Sequence, residues 1–527
     1  MPSTHEIHAT ARHSVQCTNE TAILPLESPF NLGPADHLVF PFVPIAVVFI
    51  YRNTLSGDAG RKVTEIIPAE RLRRALAIVL NYYPHLTGRL QFNANSKVPE
   101  ITALGTGAEL LEAQCSLRLD DIASASRSGR ILMPNLPASG DALLPPFDPT
   151  MEGVCRDPIV AIQHTRFACG GVALGIRLHH IVCDAHGYFQ FVRDLAEIYR
   201  GVQMNMSNAG PIPTLSSPPE IHSYLSAANA MSREERHEAL KFRPSLFYTG
   251  EHSYPPTKQQ DPQPSSPNEK PQPRVIGRVL RFSGPELKRL KALATDPNPQ
   301  TQSWVSTFDA LSAYFFQRSY QARFEHLKFQ GVPSSEAAST LSHGFWASIN
   351  FRSKNRLNLP PRYFPNAVHC PTAYHSHELL ADAPLWQIAN ALHEQIHSVH
   401  PSTMERTMKW VAAQPDKSRI KVDFEFGNGS FTVSQWSKFN MYGGVDFDVD
   451  ADGKPILPAL VSPPFTEISL VDGLVMMLST EEQALQDGGQ TGAQEDGVPC
   501  AVDVNLTLSE PLWEILDRDE EFRKFCC

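Results

Sequence analysis

Hydrophobic positions along this chain of 527 residues change period several times, and each change marks an element. The longest apolar run, 38–51, is interrupted by Pro41 and Pro44 and is too short to cross a bilayer, so it predicts a buried first strand over 38–52 behind a polar leader. Over 70–83, Leu72, Leu76, Val79, Leu80 and Tyr83 share one helical face while Arg71, Arg73 and Arg74 lie elsewhere, and Pro84 ends the pattern. A turn into a strand follows at 88–92. Small residues and prolines over 124–149 read as surface loop. The run 172–178 predicts another strand, and after it Tyr188, Phe191, Val192, Leu195, Ile198 and Tyr199 recur at helical spacing.

Between 255 and 273, seven of nineteen positions are proline and most others are Gln, Ser, Lys or Asp, too little apolar surface to fold. This linker divides the chain into domains at 1–250 and 275–527, with 251–274 between them, as expected for a length beyond one hydrophobic core. Beyond it, a strand over 275–282 leads into Ser283 and Glu286 at capping-box spacing. Helices follow from Ser306, with Phe308, Leu311, Phe315 and Phe316 facing a core, and over 385–399, opened by Pro384. Strands are expected at 345–350 running into a basic turn, at 431–436, at 445–448 after Gly443-Gly444, at 468–478 and at 501–508. The polar segment 481–497 reads as a mobile surface loop.

Composition narrows the function. Hydrophobic residues make up 42% and charged residues 19%, a globular balance, and the net charge of −10 argues against nonspecific nucleic-acid binding. The nine cysteines show no paired short spacing, which fits a reducing compartment, and the first twelve residues lack the apolar core of a signal peptide. No membrane anchor is expected; the terminal Cys526-Cys527 does not fit the prenylation box.

Candidate chemistry concentrates in Leu178-His179-His180-Ile181-Val182-Cys183-Asp184-Ala185-His186-Gly187, at the junction of the strand and the helix. A neutral imidazole at His180 is suited to general-base work at near-neutral pH. Asp184, separated from His180 by three residues at a strand end, need not face it, and is expected to brace the turn instead. His179 and His186 read as structural, Cys183 as a buried inert thiol, and the spacing fits no metal site.

The ordered set of motifs resembles the BAHD acyltransferases. His180 to Asp184 matches that family's His-x-x-x-Asp motif, and Phe191 to Gly201 is similar to the helix that follows it. Gly88-Arg89-Leu90, Ser306-Thr307-Phe308-Asp309-Ala310-Leu311 and Tyr363-Phe364-Pro365-Asn366-Ala367-Val368 look like further landmarks in the right order. The resemblance implies an α/β fold of two similar domains, each a mixed sheet covered by helices, with an active-site channel at their interface. It implies acyl-CoA as co-substrate with no permanently bound cofactor, a small secondary-metabolite acceptor acylated on a hydroxyl or amine, and a cytoplasmic monomer.

The same resemblance assigns His180 as base, a salt bridge from Asp184 to Arg352, a structural role for Gly187, and Ser434 and Trp436 as residues lining the substrate site. Trp436 N–H or a backbone N–H would serve the oxyanion. The family's second signature is best matched by Asp446-Phe447-Asp448-Val449-Asp450, which keeps two of its residues, so Asp446 is expected to support the site structurally. Two other classes fit the same residues: a condensation-type enzyme using a carrier-bound acyl donor, and a noncatalytic binding protein on the same scaffold.

Overall fold

The computed structural model describes residues 6–525 apart from 55–64, 127, 205–211, 227–230, 251–272, 301–303 and 488–498. In chain order, the strands of its two large sheets are β1 (Ile7–Val15), β2 (Pro44–Tyr51), β3 (Ala108–Cys115), β4 (Val160–Phe167), β5 (Val172–His179), β6 (Val275–Phe282), β7 (Gly344–Ala347), β8 (Thr372–Tyr374), β9 (Phe431–Gln435), β10 (Leu460–Ser462), β11 (Leu474–Ser479) and β12 (Val502–Ser509). The first sheet has the order β1-β3-β4-β5-β2-β10 and the second β6-β12-β11-β9-β7-β8. Both mix parallel and antiparallel pairs, β3 with β4 and β9 with β11 being parallel. The helices that matter below are α1 (Ala69–Val79), α2 (Ala185–Met204), α3 (Gly284–Leu293), α4 (Thr307–Phe329), α5 (Leu385–His397) and α6 (Pro401–Ala413).

Burial explains which strands the hydrophobic pattern revealed. Every residue of β5 is buried, so the strand reads as a continuous apolar run. By contrast β1, expected to be a polar leader, is an edge strand paired only with β3. Most of its side chains are exposed, and an edge facing water tolerates the His and Arg residues that hid it.

The second half of the chain also completes the first sheet. Leu460, Val461 and Ser462 in β10 pair with Ile50, Phe49 and Val48. The strand expected at 445–448 is instead an extended loop outside any ladder, because side chains take its carbonyls: Tyr51 Oη donates to Val445 O at 2.7 Å, and Arg200 donates to Asp446 O. Its Val445 and Phe447 are buried in the core of the first half, Phe447 packing edge-on to Tyr51 and Tyr199.

Helix α2 is the central rod of the molecule. Its residues reach the second half repeatedly: Gln190 donates to Arg362 O at 3.0 Å, Arg193 to Gly443 O at 3.1 Å, and Asp194 accepts from Arg362 at 2.7 Å. In the second half, α4 opens with a capping box between Ser306 and Asp309, and α3 with one between Ser283 and Glu286. The segment expected to be loop at 481–497 begins as a helix over Glu481–Asp487, and its remainder beyond 487 lies outside the described residues, as does 251–272 of the expected linker. Among the described residues no helix is long and apolar enough to cross a membrane.

One core feature carries a pH signature. His85 is buried against Phe30, with ring centroids 5.1 Å apart, and Phe364, and neither ring nitrogen has a hydrogen-bond partner among the described residues. Burial, aided by His222, pushes its imidazole from 6.5 down to about 3. The unfolded chain therefore binds this proton from pH 6.5 downward while the folded protein refuses it. The stability tied to neutral His85 is whole above pH 6.5 and declines as pH falls toward about 3. In urea titrations the unfolding free energy should fall across this window, and His85→Phe, which keeps the ring packing, should flatten that slope.

Candidate active site

The strand β5 ends at His179, a short 3-10 turn covers His180–Val182, and α2 begins at Ala185. This abrupt change places His180 on the rim of a cavity of about 710 Å³ lined by both halves of the chain, including Leu38 and Val43 from the first and Trp346, Ser434 and Trp436 from the second. Burial lowers the proton affinity of the His180 imidazole, and its own backbone, the nearby Asp184 charge, the Asn366 amide and the Cys183 backbone only partly offset this. The ring is therefore neutral at pH 7. Its Nδ1 is buried with no hydrogen-bond partner among the described residues, so Nε2 is the nitrogen left for the cavity.

Asp184 points away from that ring. Its Oδ1 accepts from the backbone N–H groups of His186 at 3.0 Å and Gly187 at 3.2 Å, capping the first turn of α2. Arg352 grips both oxygens, at 2.8 and 2.9 Å, and Ala367 N–H donates to Oδ2 at 2.8 Å. The guanidinium is itself held by the carbonyls of Tyr363 at 3.0 Å and Pro365 at 2.6 Å. Burial alone would raise the Asp184 carboxyl, but Arg352 and the backbone donors hold it below the ordinary range. The pair thus joins the His180 turn to the second half of the chain without touching the imidazole. Gly187 is part of the same joint, since a Cβ there would stand 2.1 Å from Phe364 O.

The other expected site residues divide. Ser434 and Trp436 line the cavity, with Trp436 Nε1–H donating to Ser434 Oγ at 3.0 Å and the Trp436 backbone N–H to Met477 O at 2.8 Å. Both N–H groups of Trp436 are therefore already committed. Asp446 is not brought to the site: its carboxylate meets Arg200 at 3.3 Å near the far end of α2. There it is overshadowed by Asp448, which receives Ile67 N–H at 2.6 Å and pairs with Arg71 on α1. His186 sits edge-on to Phe439, and burial pushes it down to about 4. His179 is fully buried beside Arg177, and burial raises the Cys183 thiol. Among the described residues no cluster of three or more His, Cys, Asp or Glu is arranged to hold a metal.

Sequence reasoning missed Asp36 and gave Asn366 only as part of a landmark. Asp36 is 1% exposed and accepts from Asn366 Nδ2–H at 2.8 Å, while a second Asn366 Nδ2–H donates to His180 O at 2.9 Å. Nothing in the spacing of residues 36, 180 and 366 signals this chain of contacts; only the packing of the two halves creates it.

Fold and site together define a two-domain α/β protein with the His180 imidazole at a cavity lined by both halves. A family model described as "Transferase family" matches residues 14–483, and the chain belongs to this family, the BAHD acyltransferases. It is 22% identical over 423 residues to shikimate O-hydroxycinnamoyltransferase of Nicotiana tabacum, covering 80% of this chain and 83% of that enzyme. A more local likeness, 38% over 156 residues, links it to 13-hydroxylupanine O-tigloyltransferase of Lupinus albus, covering 29% of this chain and 31% of the other. Among solved structures, F. sporotrichioides TRI101 complexed with coenzyme A and T-2 matches with a TM-score of 0.64 at 16% identity, covering 94% of this chain and 98% of that one. Vinorine synthase matches with a TM-score of 0.61 at 16% identity over 99% and 98% of the two chains. At these identities the structural likeness is one of fold.

Removing one partner of a buried ion pair leaves the other charge desolvated, which costs about 3–5 kcal/mol. Arg352→Met should therefore lower the unfolding free energy by about that amount in urea denaturation. Gly187→Ala should destabilise by about 1–3 kcal/mol through overpacking against Phe364 O, measured in the same way.

Proposed function

We infer that the protein transfers an acyl group from a coenzyme A thioester to a hydroxyl of a small acceptor, with His180 as general base. The observation that carries this reading is a neutral imidazole on the rim of a cavity reached from both halves, with no carboxylate among the described residues hydrogen-bonded to its ring. Such a base takes the hydroxyl proton as the oxygen attacks the thioester carbonyl. The C–O bond forms, the tetrahedral oxyanion collapses, and the C–S bond breaks. The imidazolium then returns its proton to the departing thiolate, so no acyl-enzyme is needed.

Ser434 is the best-placed side chain for the oxyanion. Its oxygen accepts from Trp436 Nε1–H at 3.0 Å, which leaves its own proton to donate. Trp436 acts by orienting that hydroxyl rather than by touching the oxyanion. Asp184, Arg352 and Gly187 support the site by fixing the turn that carries His180, and Asp446 belongs to a remote structural joint. Leu38, Phe40, Phe247, Trp346 and Val422 give the cavity largely apolar walls, which suits an acceptor or acyl group with an apolar body. The same reading keeps the division at 251–274, a cytoplasmic monomer, and acyl-CoA as co-substrate without a resident cofactor.

A coupled assay of thiol release from several acyl-CoA donors against a panel of alcohols and amines tests this function. His180→Ala should lower kcat by about 10²- to 10⁴-fold with the circular dichroism spectrum unchanged, and near-normal turnover would remove His180 from the chemistry. Ser434→Ala should lower kcat by about 10²-fold. Because burial lowers the His180 proton affinity, the acid limb of kcat/KM should have its midpoint below pH 6.5, activity being lost only as pH falls through that lowered value.

A further inference from the structure

The cavity at the seam carries more charge on its walls than acyl transfer by His180 uses. Asp184 and Arg352 hold each other there, and Asp309 caps α4 and meets His393 Nδ1 at 2.9 Å. Lys438 is exposed, so water solvates it. Arg356 differs from all of these. It is half-buried on the cavity wall, and its guanidinium has one contact among the described residues, with Met404 Sδ at 4.0 Å, a weak acceptor. Burial lowers its proton affinity, and no carboxylate among the described residues opposes that effect.

Other guanidiniums along the seam are paired: Arg352 with Asp184, Arg362 with Asp194 and Arg71 with Asp448. The chain has 56 Asp and Glu against 46 Lys and Arg, so carboxylates are in excess, yet none of the described ones is placed beside Arg356. A charge taken from water without a partner costs free energy, and an anion entering the cavity would remove that cost.

The surroundings are preorganised for such an anion. Arg356 belongs to a turn fixed by its own backbone, in which Arg356 N–H donates to Ser353 O at 2.9 Å and Leu359 N–H to Arg352 O at 3.1 Å. Close enough to feel the Arg356 charge is His369, 8% exposed, on a short strand that pairs Val368 and His369 with Asn350 and Ile349. Burial, and then Arg356, push its imidazole down to about 4, so it is neutral at pH 7 and can donate one N–H without adding charge. Arg356 and His369 line the same cavity as His180. Three extended residues span at most about 11 Å, so the His369 backbone lies within that distance of Asn366, whose amide donates to His180 O. A small acceptor or a short acyl chain covers such a span, whereas the phosphates of coenzyme A lie beyond the whole pantetheine arm.

We propose that Arg356, with His369 beside it, is a binding residue for a carboxylate carried by the acceptor or by the acyl group. The guanidinium fork meets both carboxylate oxygens at once, which an ammonium does only as a point charge. The protein therefore selects an anionic substrate and orients it by the end away from the reacting atoms. This deepens the acyl-transfer reading above and rests on it.

The test compares substrates that differ by one carboxylate. In the acceptor arm, hydroxy acids are assayed against their methyl esters with acetyl-CoA. In the donor arm, malonyl-CoA is assayed against propionyl-CoA, where a methyl replaces the carboxylate, with a panel of alcohols. Wild-type kcat/KM should favour the acid in one arm, and that arm identifies which substrate carries the carboxylate. Arg356→Gln should lower kcat/KM for the acid about 10- to 100-fold, mainly through KM, and leave its uncharged counterpart within about twofold. Arg356→Lys, which keeps the charge, should keep only part of the preference. Equal kcat/KM for acid and uncharged counterpart in both arms overturns the proposal, and so does an equal loss for both in Arg356→Gln. Weaker binding of free coenzyme A to Arg356→Gln, measured by calorimetry, assigns Arg356 to a coenzyme phosphate and overturns it as well. If no combination turns over in wild type, the acyl-transfer reading falls. Calorimetric affinities of the same acids and uncharged counterparts for wild type and Arg356→Gln then decide the role of Arg356 by itself.

Discussion

The bidentate pair between Asp184 and Arg352 is the constraint on which the site depends. It is buried, it caps the helix that runs through the centre of the molecule, and it ties the His180 turn to the segment 363–367 of the other half. Desolvating two charges is expensive, and the cost is offset only where geometry is good and the remaining lone pairs and protons are satisfied. Here every oxygen of Asp184 has at least two donors, and Arg352 has two backbone carbonyls besides. The pair sets where the imidazole stands, and burial outweighs the Asp184 charge in setting the ring's proton affinity.

A second polar chain, Asp36 to Asn366 to His180, approaches the same residue from the opposite side. The two networks share the segment 363–367, where Asp184 receives Ala367 N–H and Asp36 receives Asn366 N–H. The site is therefore a seam between halves rather than a pocket within either. Contacts made by Arg193, Asp194 and Arg200 extend the seam along α2, and Asp448 with Arg71 closes its far end. The degenerate second signature lies at that far end, where its Asp448 does structural service and its Asp446 does less.

Much of the fold was legible in the chain because its central strands and helices are buried in ways that impose a period. The central strand β5 over Val172–His179, the capping box ahead of α3 and the apolar face of α5 coincide with what the pattern predicts. Where solvent or side-chain hydrogen bonds replaced a ladder, the pattern misled. Edge strand β1 looked polar because one side of it faces water, and 445–448 looked like a strand although its carbonyls are taken by Tyr51 and Arg200. The short strand β10 gave too few residues to show any period.

By itself the sequence determined the residue types that acyl-transfer chemistry needs, their order, and the strand-to-helix junction that presents His180. Local propensity and periodicity act over a few residues, so they reach that far. Only the tertiary structure decided that Asp184 turns its back on His180, that the Trp436 indole is committed to Ser434, and that Asp36 and Asn366 stand behind the imidazole. Apart from the bond between Trp436 and Ser434, which spans two positions, those relations join residues more than a hundred positions apart through buried hydrogen bonds. Such bonds exist only once the two halves have packed and excluded water, and no spacing in the chain records them.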